Sequence, residues 1–182
     1  MALQFTTSYV EDSRALFRYY KTMAERAMAQ VSDDQLEAVL DSEMNSIAVI
    51  VKHMVGNMRS RWTDFLSSDG EKPNRNRDSE FEDPPATRQD LLALWEEGWS
   101  CVFGALETLS DEDLSRSVMI RGEAHSVMQA INRQIAHYAS HCGQIVLLAK
   151  HFSYDHWQSL TVPRKQSAEF NKRVAAGEAS QR

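Results

Sequence analysis

Two histidines lie four residues apart in the apolar stretch INRQIAHYASHCGQIVLLAKHF, residues 131–152. Residues at this spacing in an α-helix lie on one face, with their Cβ atoms about 5–6 Å apart. His137 and His141 could therefore bind one metal ion together, as the two histidines of an HExxH helix do. Tyr138 follows His137 where that motif has glutamate, so the general base of a zinc protease is missing.

A third histidine, His53, lies in another apolar stretch far upstream. On a helical wheel, His137 and His141 fall at the edge of their apolar stripe, beside Gln134, and His53 shares a polar edge with Asn57. Imidazoles at the edges of two helices could meet in a cleft and leave positions open for water or substrate. Asn57 and Gln134 would then contact the ligands or line the pocket. The alternative is that these are hydrogen-bonded or surface histidines without a metal.

Two nearby side chains are not expected to join such a site. Cys142 follows His141 but points further into the apolar stripe, where a buried free thiol is the usual interpretation. His151 falls on the same edge as His137 but lies about 21 Å further along the helix axis. The chain has only two cysteines, both in apolar helical patterns, which predicts no disulfide framework.

Four long stretches have apolar residues at helical spacing, and most begin with a Ser or Thr followed three residues later by an acid or Gln. The predicted helices cover residues 9–29, 42–66, 88–108 and 127–151. Shorter capped turns are expected after Ser32 and Ser110. Residues 117–127 could form a small hairpin around Arg121 and Gly122.

The crossover, residues 67–86, contains three prolines and many charges without periodicity, which predicts a loop. A loop of this length is unusual in a compact domain, but it can return along the whole second helix when extended. We therefore predict an all-α fold, a four-helix bundle in up-down-down-up order with the long crossover between helices two and three. Residues 1–156 would form this domain, and residues 157–182 a C-terminal tail that packs on the bundle or on a partner subunit.

The composition argues against several classes of function. The net charge is −6 and the basic residues between 72 and 77 are interrupted, so no nucleic-acid partner is expected. No stretch approaches the ~20 apolar residues that span a bilayer, so no membrane association is expected. The first residues contain neither the basic nor the apolar segment of a secretory signal, which predicts a cytoplasmic location.

The order of one histidine in IVKHMVGN and two in AHYASHCGQ resembles the DinB/YfiT-like family. The stretches NSIAVIVKHMVGNMRSRW and WQSLTVPRKQSAEFN resemble a DinB-related subfamily of unknown function, and the resemblance covers residues 5–171. It implies a DinB-like bundle in which His53, His137 and His141 hold a divalent metal ion in an open pocket. Zinc or nickel is the metal it implies, with iron as a further candidate.

The resemblance also implies an activity. The family includes proteins assigned as metal-dependent hydrolases and as S-transferases of low-molecular-weight thiols such as bacillithiol or mycothiol, and many are homodimers. We therefore expect a homodimer that acts on a small-molecule substrate, with a metal that lowers the pKa of a bound thiol or water. A thiol needs no protein nucleophile, whereas hydrolysis needs a general base. Asn57 cannot be that base and Asp64 lies several helical turns from His53, so group transfer is favoured.

Two other interpretations of the sequence stay open. The protein could be a non-catalytic helical bundle that binds a metal or small ligand and dimerises. It could also be a purely structural bundle in which the histidines are incidental.

Overall fold

The computed structural model of the protein describes residues 7–180 and is mostly helical. The ends of the predicted domain and tail, residues 1–6 and 181–182, lie outside the described residues. Two short strands, β1 (Ser117–Ile120) and β2 (Glu123–Ser126), precede the longest helix. No helix within residues 7–180 has both the length and the apolar character needed to cross a membrane. The helices are α1 (Tyr9–Met28), α2 (Asp33–Glu37), α3 (Ile47–Trp62), α4 (Arg88–Glu107), α5 (Val127–Ser153) and α6 (Ser167–Ala175).

Three of the predicted long helices begin where the sequence predicts. The side chains of Ser8, Thr87 and Ser126 each accept a hydrogen bond from the backbone N–H three residues further on. At the start of α5, Gln129 also accepts a hydrogen bond from the backbone N–H of Ser126, which completes a capping box. These bonds satisfy N–H groups that the first turn of a helix leaves unpaired.

The prediction of a helix over residues 42–66 is wrong at both ends, because α3 covers only Ile47–Trp62. It begins after Ser46, whose hydroxyl accepts a hydrogen bond from the backbone three residues on at 3.2 Å. It has ended before Asp64, which has a φ of 49°, a left-handed conformation that an α-helix does not contain. Phe65 continues the apolar spacing from outside the helix, stacked on the Trp62 ring with centroids 5.0 Å apart.

The predicted hairpin is confirmed. β1 and β2 pair antiparallel, with Ile120 opposite Glu123. The two turn residues, Arg121 and Gly122, have φ values of 56° and 76°, as a type I′ turn requires. Asp69 of the crossover accepts hydrogen bonds from both of their backbone N–H groups, at 2.8 and 2.7 Å. The hairpin is therefore attached to the crossover.

The crossover runs back along α3. Near the C-terminal end of α3, the guanidinium group of Arg61 donates a hydrogen bond to the carbonyl oxygen of Gly70. Near the N-terminal end of α3, the ammonium group of Lys52 donates to the carbonyl oxygen of Asp83 at 3.2 Å. Between these points a 3-10 helix, Asp78–Phe81, packs on α3. The crossover thus forms a layer over one face of α3.

A chain of buried polar groups joins α3 to α5. The indole Nε1 of Trp62 donates to the hydroxyl of Tyr138 at 3.0 Å, and that hydroxyl donates to Oδ1 of Asn57 at 3.0 Å. Tyr138 and Trp62 are almost fully buried among other aromatic rings. Because the indole nitrogen, the hydroxyl and the amide oxygen are all hydrogen-bonded, the two helices are fixed in register where the candidate site begins.

The first part of the tail is attached to the helices. Trp157 and Leu160 are half-buried against the core. Arg26 of α1 donates to the carbonyl oxygen of Leu160 at 3.0 Å. Gln30 exchanges two hydrogen bonds with the backbone of Gln158, at 2.7 and 3.1 Å. The later helix α6 has no buried residue.

Candidate metal centre

α3 and α5 bring three histidines together. His53 comes from α3, and His137 and His141 come from successive turns of α5. One ligand nitrogen from each lies within 4.8 Å of the other two, so the group could hold a metal ion. The ring centroids are 4.6 to 5.6 Å apart. Within residues 7–180, no other set of His, Cys, Asp or Glu side chains meets the same condition.

Two of the three imidazoles are oriented by a hydrogen bond on their Nδ1 atom. Nδ1 of His53 lies 2.9 Å from Oε2 of Glu80, and Nδ1 of His141 lies 2.8 Å from Oε1 of Gln144. A carboxylate or an amide oxygen only accepts, so both Nδ1 atoms carry the proton. In a neutral imidazole with this tautomer, the lone pair lies on Nε2, which is what a metal ligand needs.

The spacing on α5 fits a shared metal ion. Nε2 of His137 and Nε2 of His141 lie 3.0 Å apart. At a Zn–N distance of about 2.0–2.1 Å, two nitrogens on one ion are about 2.9 Å apart at a right angle and about 3.4 Å apart at the tetrahedral angle. The same distance also fits a hydrogen bond between the rings, with a proton on one Nε2. A set of imidazole nitrogens suits zinc, nickel or iron.

The protonation states also suit metal binding. Burial lowers the pKa of His137 to about 3, and the neighbouring His141 and His53 contribute to this lowering. Burial lowers the pKa of His141 as well. Both imidazoles are therefore neutral near pH 7, which is the form that binds metal. Cys142 is fully buried, and burial raises the pKa of its thiol to about 12, so it is not a thiolate ligand.

Glu80 is a buried carboxylate that the crossover places behind His53, with 6% of its surface exposed. Arg75 donates two hydrogen bonds to it, at 2.8 and 3.0 Å. Although burial alone raises the pKa of this carboxyl, the hydrogen bonds from His53 and Arg75 lower it below its usual value. Gly56, on the turn after His53, leaves room for the carboxylate, because an added Cβ would lie within 2.8 Å of three Glu80 atoms.

The crossover also covers the face of the His53 ring. Phe81 is stacked on it, with the ring centroids 4.6 Å apart and the planes 26° from parallel. The guanidinium carbon of Arg77 lies 5.0 Å from the centroid of the Phe81 ring. His53 is therefore held by a hydrogen bond at one edge and by an aromatic ring on one face.

A cavity of about 340 Å³ lies beside the histidines. His53 and His137 line it, and so do Asn57 and Gln134, the residues predicted to line a pocket. No acidic side chain from the described part of the protein lines this cavity. A larger groove, of about 500 Å³, lies across Glu80 and contains none of the three histidines. The remaining lining residues of the smaller cavity are Arg61, Arg75, Arg77, Arg121 and Arg133.

Comparison with known proteins identifies the family. The sequence profile of a family described as a protein of unknown function, DUF1572, matches residues 4–166. The protein belongs to the DUF1572 family. No curated protein and no solved structure matches its sequence or fold. The family description specifies no activity, so the function of this DUF1572 protein has to be inferred from its own side chains.

Sequence reasoning found the histidines of this DUF1572 protein, and Gln144 beside them on the wheel, but missed the crossover groups that position His53. His53, His137 and His141 were identified from spacing and resemblance, whereas Glu80 and Arg75 lie in a loop without periodicity. One signal could have indicated them. Gly56 is a glycine inside a helix, one turn from a candidate ligand, and such a glycine is typical of a close approach by another group.

Proposed function

We propose that the protein is a metal-dependent enzyme of the DinB/YfiT-like type, with a divalent ion held by His53, His137 and His141. The proposal is supported most by the convergence of three imidazoles from two helices, two of which donate their Nδ1–H to Glu80 and Gln144. Metal-binding histidines use their second nitrogen in this way almost without exception. Zinc and nickel are the proposed ions, with iron as a further candidate.

The proposed reaction is the transfer of a low-molecular-weight thiol to an electrophile, with hydrolysis as the second form. When bound at this site, a divalent ion would lower the pKa of the thiol or water molecule that coordinates it. In the transfer, a sulfur–carbon bond forms, the bond from that carbon to the leaving group breaks, and the thiol proton departs with the leaving group. No carboxylate of the described chain lines the cavity, and Glu80 is already bonded to Arg75 and His53. This lack of a general base favours transfer over hydrolysis.

Asn57 and Gln134 are proposed to position the substrate. Oδ1 of Asn57 accepts a hydrogen bond from Tyr138, which leaves its amide N–H groups as donors. Gln134 is 3% exposed and lines the same cavity. Both side chains are held by helices rather than by loops, so they can fix the orientation of a bound molecule.

Metal content by mass spectrometry tests the proposed site directly. Protein purified without a histidine tag should contain close to one equivalent of zinc, nickel or iron. The double variant His53→Ala, His137→Ala should contain none. His151→Ala is the matched control, because this exposed histidine lies on the same helix as His137 and outside the cluster. If neither the parent nor the control takes up metal on dialysis, the proposed enzyme function is wrong.

Turnover separates the proposed enzyme from its main alternative, a non-catalytic bundle that binds metal or a small ligand. That alternative is favoured by the same lack of a carboxylate base among the described residues that line the cavity. Transfer of a small thiol to an electrophile is measured with zinc-loaded or nickel-loaded protein. Activity that is lost in His137→Ala and kept in His151→Ala supports the enzyme. If the protein binds one equivalent of metal but its turnover rate does not exceed that of the metal-free protein, the non-catalytic bundle is supported.

We further propose the up-down-down-up order for the four long helices. An added Cβ at Gly98 of α4 would lie within 3.1 Å of Val55 and Met58 of α3. Leu91, two turns earlier on α4, lines a small cavity with Ala48, which is two turns earlier on α3. This pairing, together with the crossover that returns along α3, supports parallel α3 and α4.

The assembly and location of the protein are also proposals. We propose a homodimer in the cytoplasm, in which residues 1–156 form the domain and residues 157–182 the tail. Light scattering on the purified full-length chain measures the mass of the particle in solution. A monomer mass at micromolar concentration would exclude the dimer.

A further inference from the structure

The cavity beside the histidines is strongly basic although the protein is acidic overall. Five of the 20 lysines and arginines line it, and all five are arginines. They come from three separate parts of the chain: α3, the crossover, and the hairpin with the start of α5. The net charge of the protein is −6, so this concentration of positive charge is local to the cavity.

Carboxylates balance only part of this charge. Glu71 forms ion pairs with Arg61, Arg75 and Arg121, at 2.9, 3.2 and 3.2 Å. Glu80 pairs with Arg75 as well. In ion pairs, the five guanidinium groups therefore share two carboxylates, so positive charges outnumber the carboxylates that pair with them.

Two of the cavity arginines have no ion pair in the described part of the chain. The guanidinium group of Arg77 lies over the ring of Phe81, and Arg133 extends from an exposed position near the start of α5. No carboxylate within residues 7–180 lies within 4.0 Å of either guanidinium group. Their donors are available to a molecule in the cavity.

Two side chains of the lining also have a buried polar atom without a partner. Arg61 is 5% exposed and Gln134 is 3% exposed, and both line the cavity. Nε of Arg61 and Oε1 of Gln134 are buried without a hydrogen-bond partner from residues 7–180. Few buried polar atoms in native proteins lack a partner, so each needs an explanation such as a ligand, an ion or a water molecule. The N–H at Nε of Arg61 is a donor that suits an anion, whereas Oε1 of Gln134 only accepts and needs a donor group of the bound molecule.

We propose that this cavity binds a small substrate through a carboxylate or phosphate group, which the arginines hold beside the three histidines. The planar guanidinium group matches both kinds of anion with two parallel hydrogen bonds. A neutral or cationic substrate would leave the surplus charge unpaired. The volume of about 340 Å³ fits a small molecule rather than a polymer. The proposal deepens the proposed function, since it specifies the class of substrate for the same site.

The direct test of this proposal is anion binding, which does not depend on turnover. Inorganic phosphate and succinate are titrated into the full-length, metal-free protein by calorimetry, with succinamide as the neutral counterpart of succinate. We expect phosphate, succinate or both to bind, and succinamide not to bind. Tighter binding of phosphate identifies a phosphorylated substrate, and tighter binding of succinate identifies a carboxylate. Equal binding of succinamide and succinate would overturn the proposal.

Variants locate the binding to the cavity. Arg133→Gln should weaken anion binding about fivefold, and the double variant Arg77→Gln, Arg133→Gln about 20-fold, because each removes charge-assisted hydrogen bonds. Lys150→Gln is the matched control: an exposed base on the same helix, with the same change in net charge, about 25 Å further along the axis. It should stay within about twofold of the parent. Melting curves establish that each variant is folded.

The outcomes distinguish this proposal from the metal-dependent function. If anions bind and the binding depends on Arg133 while no metal is found, the anion cavity stands and the metal function is wrong. The opposite outcome is that the protein binds the metal, while Arg133→Gln and the double variant bind anions as tightly as the parent. In that case the anion proposal is wrong and the metal function stands.

Discussion

Replacement of Gly56 by alanine tests whether Glu80 positions His53. The added Cβ would lie within 2.8 Å of the Cγ, Cδ and Oε1 atoms of Glu80. That carboxylate cannot move freely, because Arg75 holds both of its oxygens and the side chain is 6% exposed. A methyl group on α3 should therefore displace the carboxylate that orients a proposed metal ligand.

The magnitude follows from the distances. Glu80 has to move by about 1 Å to reach ordinary contact with the new methyl group. This movement stretches its 2.9 Å bond to His53 beyond hydrogen-bonding range. Loss of such a partner lowers metal affinity about 10- to 100-fold, or about 1.4–2.8 kcal/mol. A helical glycine-to-alanine change normally stabilises by about 0.5–1 kcal/mol. Weakening hydrogen bonds to a buried charge costs more, so we expect a net loss of about 1–2 kcal/mol in the free energy of unfolding.

The measurements are zinc affinity, by competition with a chelator, and urea denaturation of the metal-free protein. Gly143→Ala is the matched control, because this glycine lies on α5 two residues from His141 and an added Cβ would contact nothing within 4 Å. The control should gain about 0.5–1 kcal/mol and keep the parent affinity. If Gly56→Ala behaves like the control in both measurements, Glu80 does not act on the site through His53.

Three further predictions concern stability, measured in each case by urea denaturation. Tyr138→Phe removes the acceptor of the buried Trp62 indole and should lower the free energy of unfolding by about 1–3 kcal/mol; unchanged stability would contradict that hydrogen bond. Asp111 accepts hydrogen bonds from the first two N–H groups of α1, at 3.2 and 3.0 Å. Asp111→Ala should therefore cost about 1 kcal/mol, whereas the control Glu112→Ala, at the exposed acid next in the chain, should stay within about 0.5 kcal/mol of the parent. A chain that ends at residue 166 should stay within about 0.5 kcal/mol of the parent, because α6 has no fully buried residue. A chain that ends at residue 156 also loses Trp157 and Leu160 and should lose about 2 kcal/mol; equal stability of the two truncated chains would refute this account.

Local signals predicted the helices well where the cap and the apolar spacing agree. α4 begins after Thr87 as predicted, because its hydroxyl satisfies a backbone N–H of the first turn. At the end of α3 the two signals disagree. Phe65 continues the apolar spacing, but the left-handed backbone of Asp64 has already turned the chain away from the helix. Periodicity reports which side chains are buried, and a residue can be buried from outside the helix as well as from within it.

The same distinction explains how much of the site could be predicted. His137 and His141 share one helix, so their spacing alone brings them together. His53 reaches them only through the packing of α3 on α5, and sequence reasoning could place it at the edge of a stripe but not at a distance. Glu80 and Arg75 meet His53 through a fold of the crossover that leaves no periodic pattern. Their positions depend on tertiary contacts, which a single sequence encodes only indirectly.

The crossover does more than connect α3 to α4, because its side chains contact His53 and line the cavity beside the histidines. Glu80 accepts a hydrogen bond from His53, and the Phe81 ring is stacked on the His53 ring. Asp69 holds the hairpin turn and so places Arg121 at the cavity. The helices, in contrast, supply the three imidazoles and the core that holds them. Changes in the crossover should therefore alter the orientation of the ligands and the choice of substrate while the helices stay folded. We expect substitution of Asp69, which holds the turn that carries Arg121, to change anion binding and leave metal binding as it is. Substitution of Glu80 should change both, because Glu80 contacts His53 and also the cavity arginine Arg75.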